Sequence, residues 1–459
     1  MGGQKSNDNG PVFGPSALEH FSFEPGYRNL NHGSFGATPL QVQERARHYQ
    51  AQFEARPDVW FRYEAPRLLD ENRAAAAELL NAPLDTIVFV ANATVGTNTV
   101  LRNLEWSADG KDEILHFSTA YGACAKTIDY IVDSNGGRVA SREIVLSYPC
   151  EDSEVLEAFR GAVARCAAEG KRPKICVFDT VSSLPGVRFP FEEMTKACKE
   201  LGILSFVDGA QGIGMIEIDL TAVDPDFFVT NCHKWLHVPR SCAIFYVPVR
   251  NQHMITSTLP TSHGYVPRHG TRFNPLPAAG PGKSAFVHNF EYVGTLDTSA
   301  YLCVKDAIEW RKEVFGGEEA IIKYTQWLAA EGGRRAAEIL GTTVMENKSG
   351  GLTKCTMVNV ALPMWVKPGP DASSAALQEF APQPGDIVFS LQEAFAVDPW
   401  IKKVFMEEYN TFIPLYIHRH RVWFRLSAQV YLDVHDFEWA AKTVLEVVKR
   451  VANREHETK

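Results

Sequence analysis

Lys234 stands in the stretch DFFVTNCHKWLHVPRSCAIFYV, residues 226–247, between two apolar runs of strand character. Lysine is among the side chains least often buried, so its position calls for a chemical reason. Held out of water, a lysine has a depressed pKa, and its free amine condenses with an aldehyde. Asp208, 26 positions earlier in VDGAQGIG, ends another apolar run and has Gln211 one turn further on. A carboxylate there can keep a pyridine nitrogen protonated and so make the ring an electron sink. After TIVFV, the small residues of ANATVG open a helix whose first N–H groups suit a phosphate or cap themselves. Tyr121 follows ILHFS and can cover a ring face; Ser182 and Ser183 follow ICVFD. Each feature alone is commonplace. Together they describe the parts of a pyridoxal 5'-phosphate (PLP) site.

These residues must be brought to one edge by the elements that carry them. From about residue 70, strand-like runs (DTIVFVAN, DEILHFS, REIVLSY, KICVFDTV, ILSFVDGA, FFVTNC, CAIFYVPV) alternate with helical stretches such as SEVLEAFRGAVARCAAEG and FEEMTKACKELG. That alternation predicts an α/β fold with a mostly parallel sheet covered on both faces, and ligands bind such sheets beyond the strands' carboxyl ends. After about residue 300 the texture changes to two long helices, 298–314 and 319–340, then a strand in RVWFRLSAQVYL and a last amphipathic helix. The organisation expected is a loose tail over 1–20, a joining segment over 21–70, a large domain over 71–300 and a smaller α+β domain over 301–459. The Pro- and Ser-rich 366–386 is read as a surface loop.

Composition excludes several classes. A formal charge of −9 argues against nucleic acid or an anionic membrane as main partner, and no run has the length of a membrane span. The polar start lacks a signal peptide's apolar region, and nine cysteines without CxxC pairing suit a reducing cytoplasm. No metal cluster is expected, because His418 and His420 alternate with arginines.

VDGAQGIG, the lysine of NCHKWL, LNHGSFG near the start and FRLSAQVY near the end together resemble the class V PLP-dependent aminotransferase superfamily. Within it the chain is similar to the isopenicillin-N-epimerase-like branch, and there to the fungal C–S lyases of ergothioneine biosynthesis. The words VFVANAT, WSADGKDEIL, VSSLPGVRFPFE and STLPTSHG extend the likeness, which spans residues 30–431. The resemblance implies PLP fold type I, with a seven-stranded large-domain sheet, and a homodimer. It implies that Lys234 bonds the cofactor aldehyde and shuttles the Cα proton, that Asp208 pairs with the pyridine nitrogen, and that Gln211 meets the phenolic oxygen. Ala93, Thr94, His233 and, from a partner subunit, Thr295 would bind phosphate. Tyr121 would stack on the ring or border the substrate, and Ser182 would lie beneath the ring. Arg425 would clamp the carboxylate of a small amino-acid-derived substrate, with Asn31 and His32 closing that end of the pocket. For His32, a residue capping its own turn is an equal reading.

The reaction implied is β-elimination from a cysteine-conjugate sulfoxide, hercynylcysteine sulfoxide, giving a thiol or sulfenate, pyruvate and ammonia. Tyr121 can attract a trimethylammonium group through a contact of roughly 0.5–2 kcal/mol. Glu143 departs from the lyase pattern, and a pocket-facing Glu143 would change the substrate. Cyclases of loline-type pyrrolizidine pathways, amino-acid epimerases and cysteine desulfurases of the same class stay open. A desulfurase would need a mobile cysteine; Cys124 and Cys232 lie nearest the strand tips.

Overall fold

The computed structural model describes residues 12–274, 283–370, 372 and 374–457. Seven strands form the large sheet: β1 Ile87–Val90, β2 Asp112–Phe117, β3 Val139–Ile144, β4 Arg172–Asp179, β5 Leu204–Asp208, β6 Phe227–Asn231 and β7 Ala243–Tyr246. Their order is β1-β7-β6-β5-β4-β2-β3, with only β7 antiparallel to its neighbours. Every residue of β1, β2, β6 and β7 is buried. Helices cover both faces, which is why these strands read as continuous apolar runs. The mostly parallel seven-stranded sheet is as expected.

The second sheet, in order β10-β11-β8-β9, consists of β8 Met357–Val366, β9 Ile387–Phe389, β10 Leu415–His418 and β11 Arg421–Ser427. Helices Glu318–Leu340 and Val434–Ala452 pack on each other, the former also against β8. Asp433 starts the last helix with a capping box, accepting from the N–H groups of His435 and Asp436.

Three expectations need correction. Residues 12–20 are not a loose tail: Phe13 stacks on Tyr324 and Phe315, and Pro15–His20 forms a short helix that buries Ala17. Residues 1–11 of that tail lie outside the described residues. The third strand is expected over REIVLSY, but β3 ends at Ile144 and Val145 is exposed. As the edge strand, β3 is solvated along one side, so apolar continuity misplaced its register. Within 366–386, Ser374–Glu379 is helical. No helix among the described residues is long and apolar enough to cross a membrane.

The helix Val304–Phe315 carries a fully buried cation, Arg311. It pairs with Glu318 and donates to the carbonyls of Trp235 (2.8 Å) and Gly214 (3.2 Å) and to His237 Nδ1 (2.7 Å). This helix thus fixes the segment just after Lys234. Replacing Arg311 by methionine leaves those buried acceptors, and the partly exposed Glu318, without their partner, an expected loss of about 3–5 kcal/mol in urea unfolding.

Candidate active site

Lys234 lies in the short helix Cys232–Trp235 that follows β6, and three contacts fix its backbone. The N-terminal turn His32–Phe35 packs directly on it. His32 Nε2 donates to the Lys234 carbonyl (2.6 Å), since a carbonyl can only accept, and His32 Nδ1 accepts from the Tyr431 hydroxyl (2.9 Å). Tyr431 in turn accepts from Asn29 (2.8 Å). Gly36, at φ 66°, lies so close that a Cβ there would sit 1.7 Å from the His233 carbonyl oxygen. Gly214, at φ 77°, would set a Cβ 2.6 Å from the Trp235 carbonyl oxygen.

His32 is therefore corrected from substrate contact to backbone support. It is 1% exposed, both ring nitrogens are engaged, and burial lowers its pKa to about 3. A neutral ring is what a donor-plus-acceptor role requires.

The Lys234 side chain is 9% exposed and makes no hydrogen bond or ion pair among the described residues. Burial lowers its pKa to about 8; Asp208 opposes the shift and Arg425 reinforces it. Its Nζ lies 5.8 Å from the centre of the Tyr121 ring, and Tyr121 is half exposed at the head of helix Gly122–Ser134. Asp208 ends β5, 3% exposed, accepting from the Ala210 N–H (3.0 Å) and the Cys124 thiol (3.2 Å).

Gln211 is more committed than expected. Its amide donates to the Gly33 carbonyl (2.8 Å) and accepts from Trp235 Nε1 (2.7 Å), which leaves one N–H for another group. Ser182 is fully buried, and its hydroxyl donates to the Pro185 carbonyl (2.7 Å), closing its own turn. The helix Ala93–Asn103 begins just beyond β1, capped by Asn92 accepting from Val95 N–H (3.0 Å). Ala93 N–H donates to Asn231 Oδ1 (2.9 Å), so the donors left at this terminus are the N–H and hydroxyl of Thr94. His233 Nδ1 donates to the Cys242 carbonyl (2.9 Å), and burial, helped by Lys234, lowers its pKa to about 4. An anion beside Nε2 would restore a proton there. Thr295 is exposed and hydrogen-bonded to Tyr292 (2.9 Å), with no such link to the other site residues.

Arg425, on β11, is 1% exposed, and burial lowers its pKa to about 10. Its terminal nitrogens donate to the Ser183 carbonyl and Asn31 Oδ1, both at 2.7 Å, and to the hydroxyls of Ser34 and Ser183 at 3.3 and 3.4 Å. Its Nε has no partner, and among the described residues no carboxylate pairs with it. A buried guanidinium without an anion is costly, and a substrate carboxylate would complete it. Sequence reasoning missed Asn231 and Ser34, and weighed Cys124 only as a sulfur acceptor; all three act through the residues they hold. It also passed over Asp179, although its strand had been located. Glu143 is exposed on edge strand β3, opposite His116, and none of these contacts involves it.

The residues present fit PLP: a buried, unpaired amine, a carboxylate at the tip of β5, a half-exposed aromatic over the amine, and free donors at a helix start. Lys234, Asp208, Tyr121, Thr94 and His233 would hold it, with Gln211's remaining N–H available to its ring. Fold and site together define a PLP-dependent enzyme of fold type I.

Known proteins agree. The pattern of the family described as Aminotransferase class-V matches residues 36–362, and the chain belongs to that family. The L-cysteine desulfhydrase-like protein lolT1 of Epichloe uncinata is 37% identical over 453 residues, covering 96% of this chain and 97% of its own. Hercynylcysteine sulfoxide lyase of Schizosaccharomyces pombe is 31% identical over 433 residues, covering 94% and 97%. The cystine C–S lyase C-DES, solved with its product cysteine persulfide, superposes with a TM-score of 0.67 at 16% identity, covering 92% and 98%. That last likeness is one of fold.

Only the free amine of Lys234 can attack an aldehyde. The rate at which apoprotein captures PLP is expected to rise with pH through a midpoint near 8, read from the visible absorbance. A midpoint near the ordinary lysine value of about 10.4 would contradict the site as described. Lys234→Ala is expected to abolish the band.

Proposed function

We propose that this enzyme is a C–S lyase of ergothioneine biosynthesis that cleaves hercynylcysteine sulfoxide by β-elimination, releasing pyruvate and ammonia. The observation that carries the choice of elimination over sulfur transfer is the burial of all nine cysteines. A desulfurase takes up sulfur on an accessible thiolate. Here the thiol nearest the site, Cys124, donates to Asp208, and burial together with that carboxylate pushes its pKa far up.

When bound, PLP supplies an electron sink that makes the substrate's Cα proton acidic. Arg425 takes the substrate carboxylate as a fork, its long contacts to Ser34 and Ser183 giving way while those to Asn31 and the Ser183 carbonyl stay. Lys234 Nζ accepts the Cα proton. The Cβ–S bond then breaks with its electron pair on sulfur, and Tyr121, half exposed beside Nζ, borders the departing group. The hercynyl trimethylammonium gains an aromatic face there. The active form in this reading is a homodimer, with Thr295 serving the partner's phosphate.

Identity of 37% and 36% to lolT1 and lolT2, against 31% to the lyase, favours a second reading. In it the same lysine, carboxylate and clamp serve cyclisation of an amino-acid-derived precursor of a loline-type pyrrolizidine.

Incubation of the PLP-loaded enzyme with hercynylcysteine sulfoxide, assayed for pyruvate, separates them. Stoichiometric pyruvate is expected; a perturbed cofactor band without pyruvate would leave cyclisation. Arg425→Gln is expected to reduce kcat/KM by about 10- to 100-fold through loss of a charge-assisted contact, chiefly in KM.

A further inference from the structure

Asp179 plays no part in the chemistry described above. It ends β4, and its Cα is the register partner of Asp208 on β5. Partners in register point to the same face, so two carboxyl groups leave adjacent strand tips side by side. Asp208 has two donors. Asp179, 7% exposed, has no hydrogen bond and no ion pair among the described residues. The titratable groups that face it are Asp208, Lys234, the thiol of Cys124 and the phenol of Tyr148, whose hydroxyl is buried without a partner among the described residues. Burial first, then the charge of Asp208, pushes the Asp179 carboxyl well above the usual range, against the pull of Lys234.

Two carboxylates together out of water cannot both stay ionised without matching cations. The nearby cation is Lys234, which must give up its charge to act as an amine. Were both acids ionised, Lys234 would be held as ammonium and withheld from the aldehyde.

We propose that Asp179 stands in the site as a neutral carboxylic acid, so that the pair carries a single negative charge, on Asp208. Asp179 is then a positioning residue, acting through Asp208 on the pyridine nitrogen and through the local charge balance on the amine of Lys234. The inference rests on the PLP site and not on the choice of substrate.

Its test compares wild type, Asp179→Asn and Asp208→Asn. In the apoprotein, urea unfolding is followed from about pH 4 to about pH 8, the window above the ordinary aspartate value. A carboxyl whose folded-state pKa is raised contributes fully below its unfolded value of about 3.9 and loses that contribution as pH rises through the folded value. Asp179→Asn, uncharged throughout, is therefore expected to resist more urea than wild type near neutral pH, by a margin that shrinks toward pH 4. A variant less stable than wild type by the same amount at every pH would overturn the proposal.

In the holoenzyme, the pH midpoint of the visible cofactor band in Asp179→Asn is expected within about 0.3 unit of wild type, since asparagine mimics the neutral acid. A fall of about one unit or more would mean that an anion had been removed, and would sink the idea. Should Asp179→Asn fail to fold, Asp208→Asn decides: without its charged neighbour, the fall of stability with pH is expected to flatten. An unchanged slope would overturn the pairing of a neutral Asp179 with a charged Asp208. Wild-type protein that retains no PLP would refute the cofactor site while leaving the apoprotein comparison valid.

Discussion

The fit of the N-terminal turn against the segment that bears Lys234 is the contact on which the site depends. A reactive lysine has to stand at a strand tip with its amine dry, while its backbone N–H and C=O groups stay satisfied. The turn achieves this by approaching within a distance that only glycine tolerates at position 36. It then supplies His32 as donor to the Lys234 carbonyl. Gln211 ties the Gly33 carbonyl to Trp235, the next residue after the lysine. From the opposite side, Arg311 holds the carbonyls of Trp235 and Gly214. The Lys234 segment is thus fixed by His32, 202 positions away in one direction, and by Arg311, 76 positions from Trp235 in the other, so its geometry depends on distant parts of the chain folding together.

Charge organises the rest. The interior of the site holds Lys234 and Arg425, and among the described residues no carboxylate forms an ion pair with either. Both cations have lowered pKa values for the same reason, desolvation. In the amine this releases the nucleophile. In the guanidinium, which stays charged, it raises the reward for an incoming carboxylate. In the reading proposed above, one cause would prepare one group to react and the other to bind.

Much of this was legible in sequence, because the central strands are buried on both faces and their ends are marked by small or polar residues. Lys234, Asp208 and Tyr121 could be assigned to strand tips on that ground. The packed start, Phe13 to His20, was not legible: its partners Phe315, Tyr324 and Val430 lie some 300 or more positions away, and composition alone suggested a tail. His32 was ambiguous for a different reason. Its role depends on which of two ring nitrogens meets which partner, a property of tertiary placement. Gln211 and Ser182 show the same limit, since a polar residue near a strand tip can serve the protein or the ligand, and spacing does not distinguish them. Asp179 was in plain view at the end of ICVFD, but its meaning required the register that pairs it with Asp208.

Arg425 joins these themes. Its strand belongs to the second sheet, yet its guanidinium contacts come from the N-terminal turn, through Asn31 and Ser34, and from the β4 side of the large sheet, through Ser183. The clamp thus spans three separate parts of the chain. The two contacts at 2.7 Å are made to a carbonyl and an amide oxygen, while the two longer ones are made to hydroxyls that can rotate. A carboxylate that displaces only the hydroxyls leaves the structural contacts intact. A carboxylate there would need little rearrangement: the Ser183 hydroxyl could turn to donate to it, while that of Ser34 already donates to Asn31 Oδ1 (2.8 Å). In the reading proposed above, burial of the cation, anchoring by neutral acceptors and replaceable hydroxyls would make this guanidinium a preorganised seat for an α-carboxylate, with no carboxylate among the described residues paired to it.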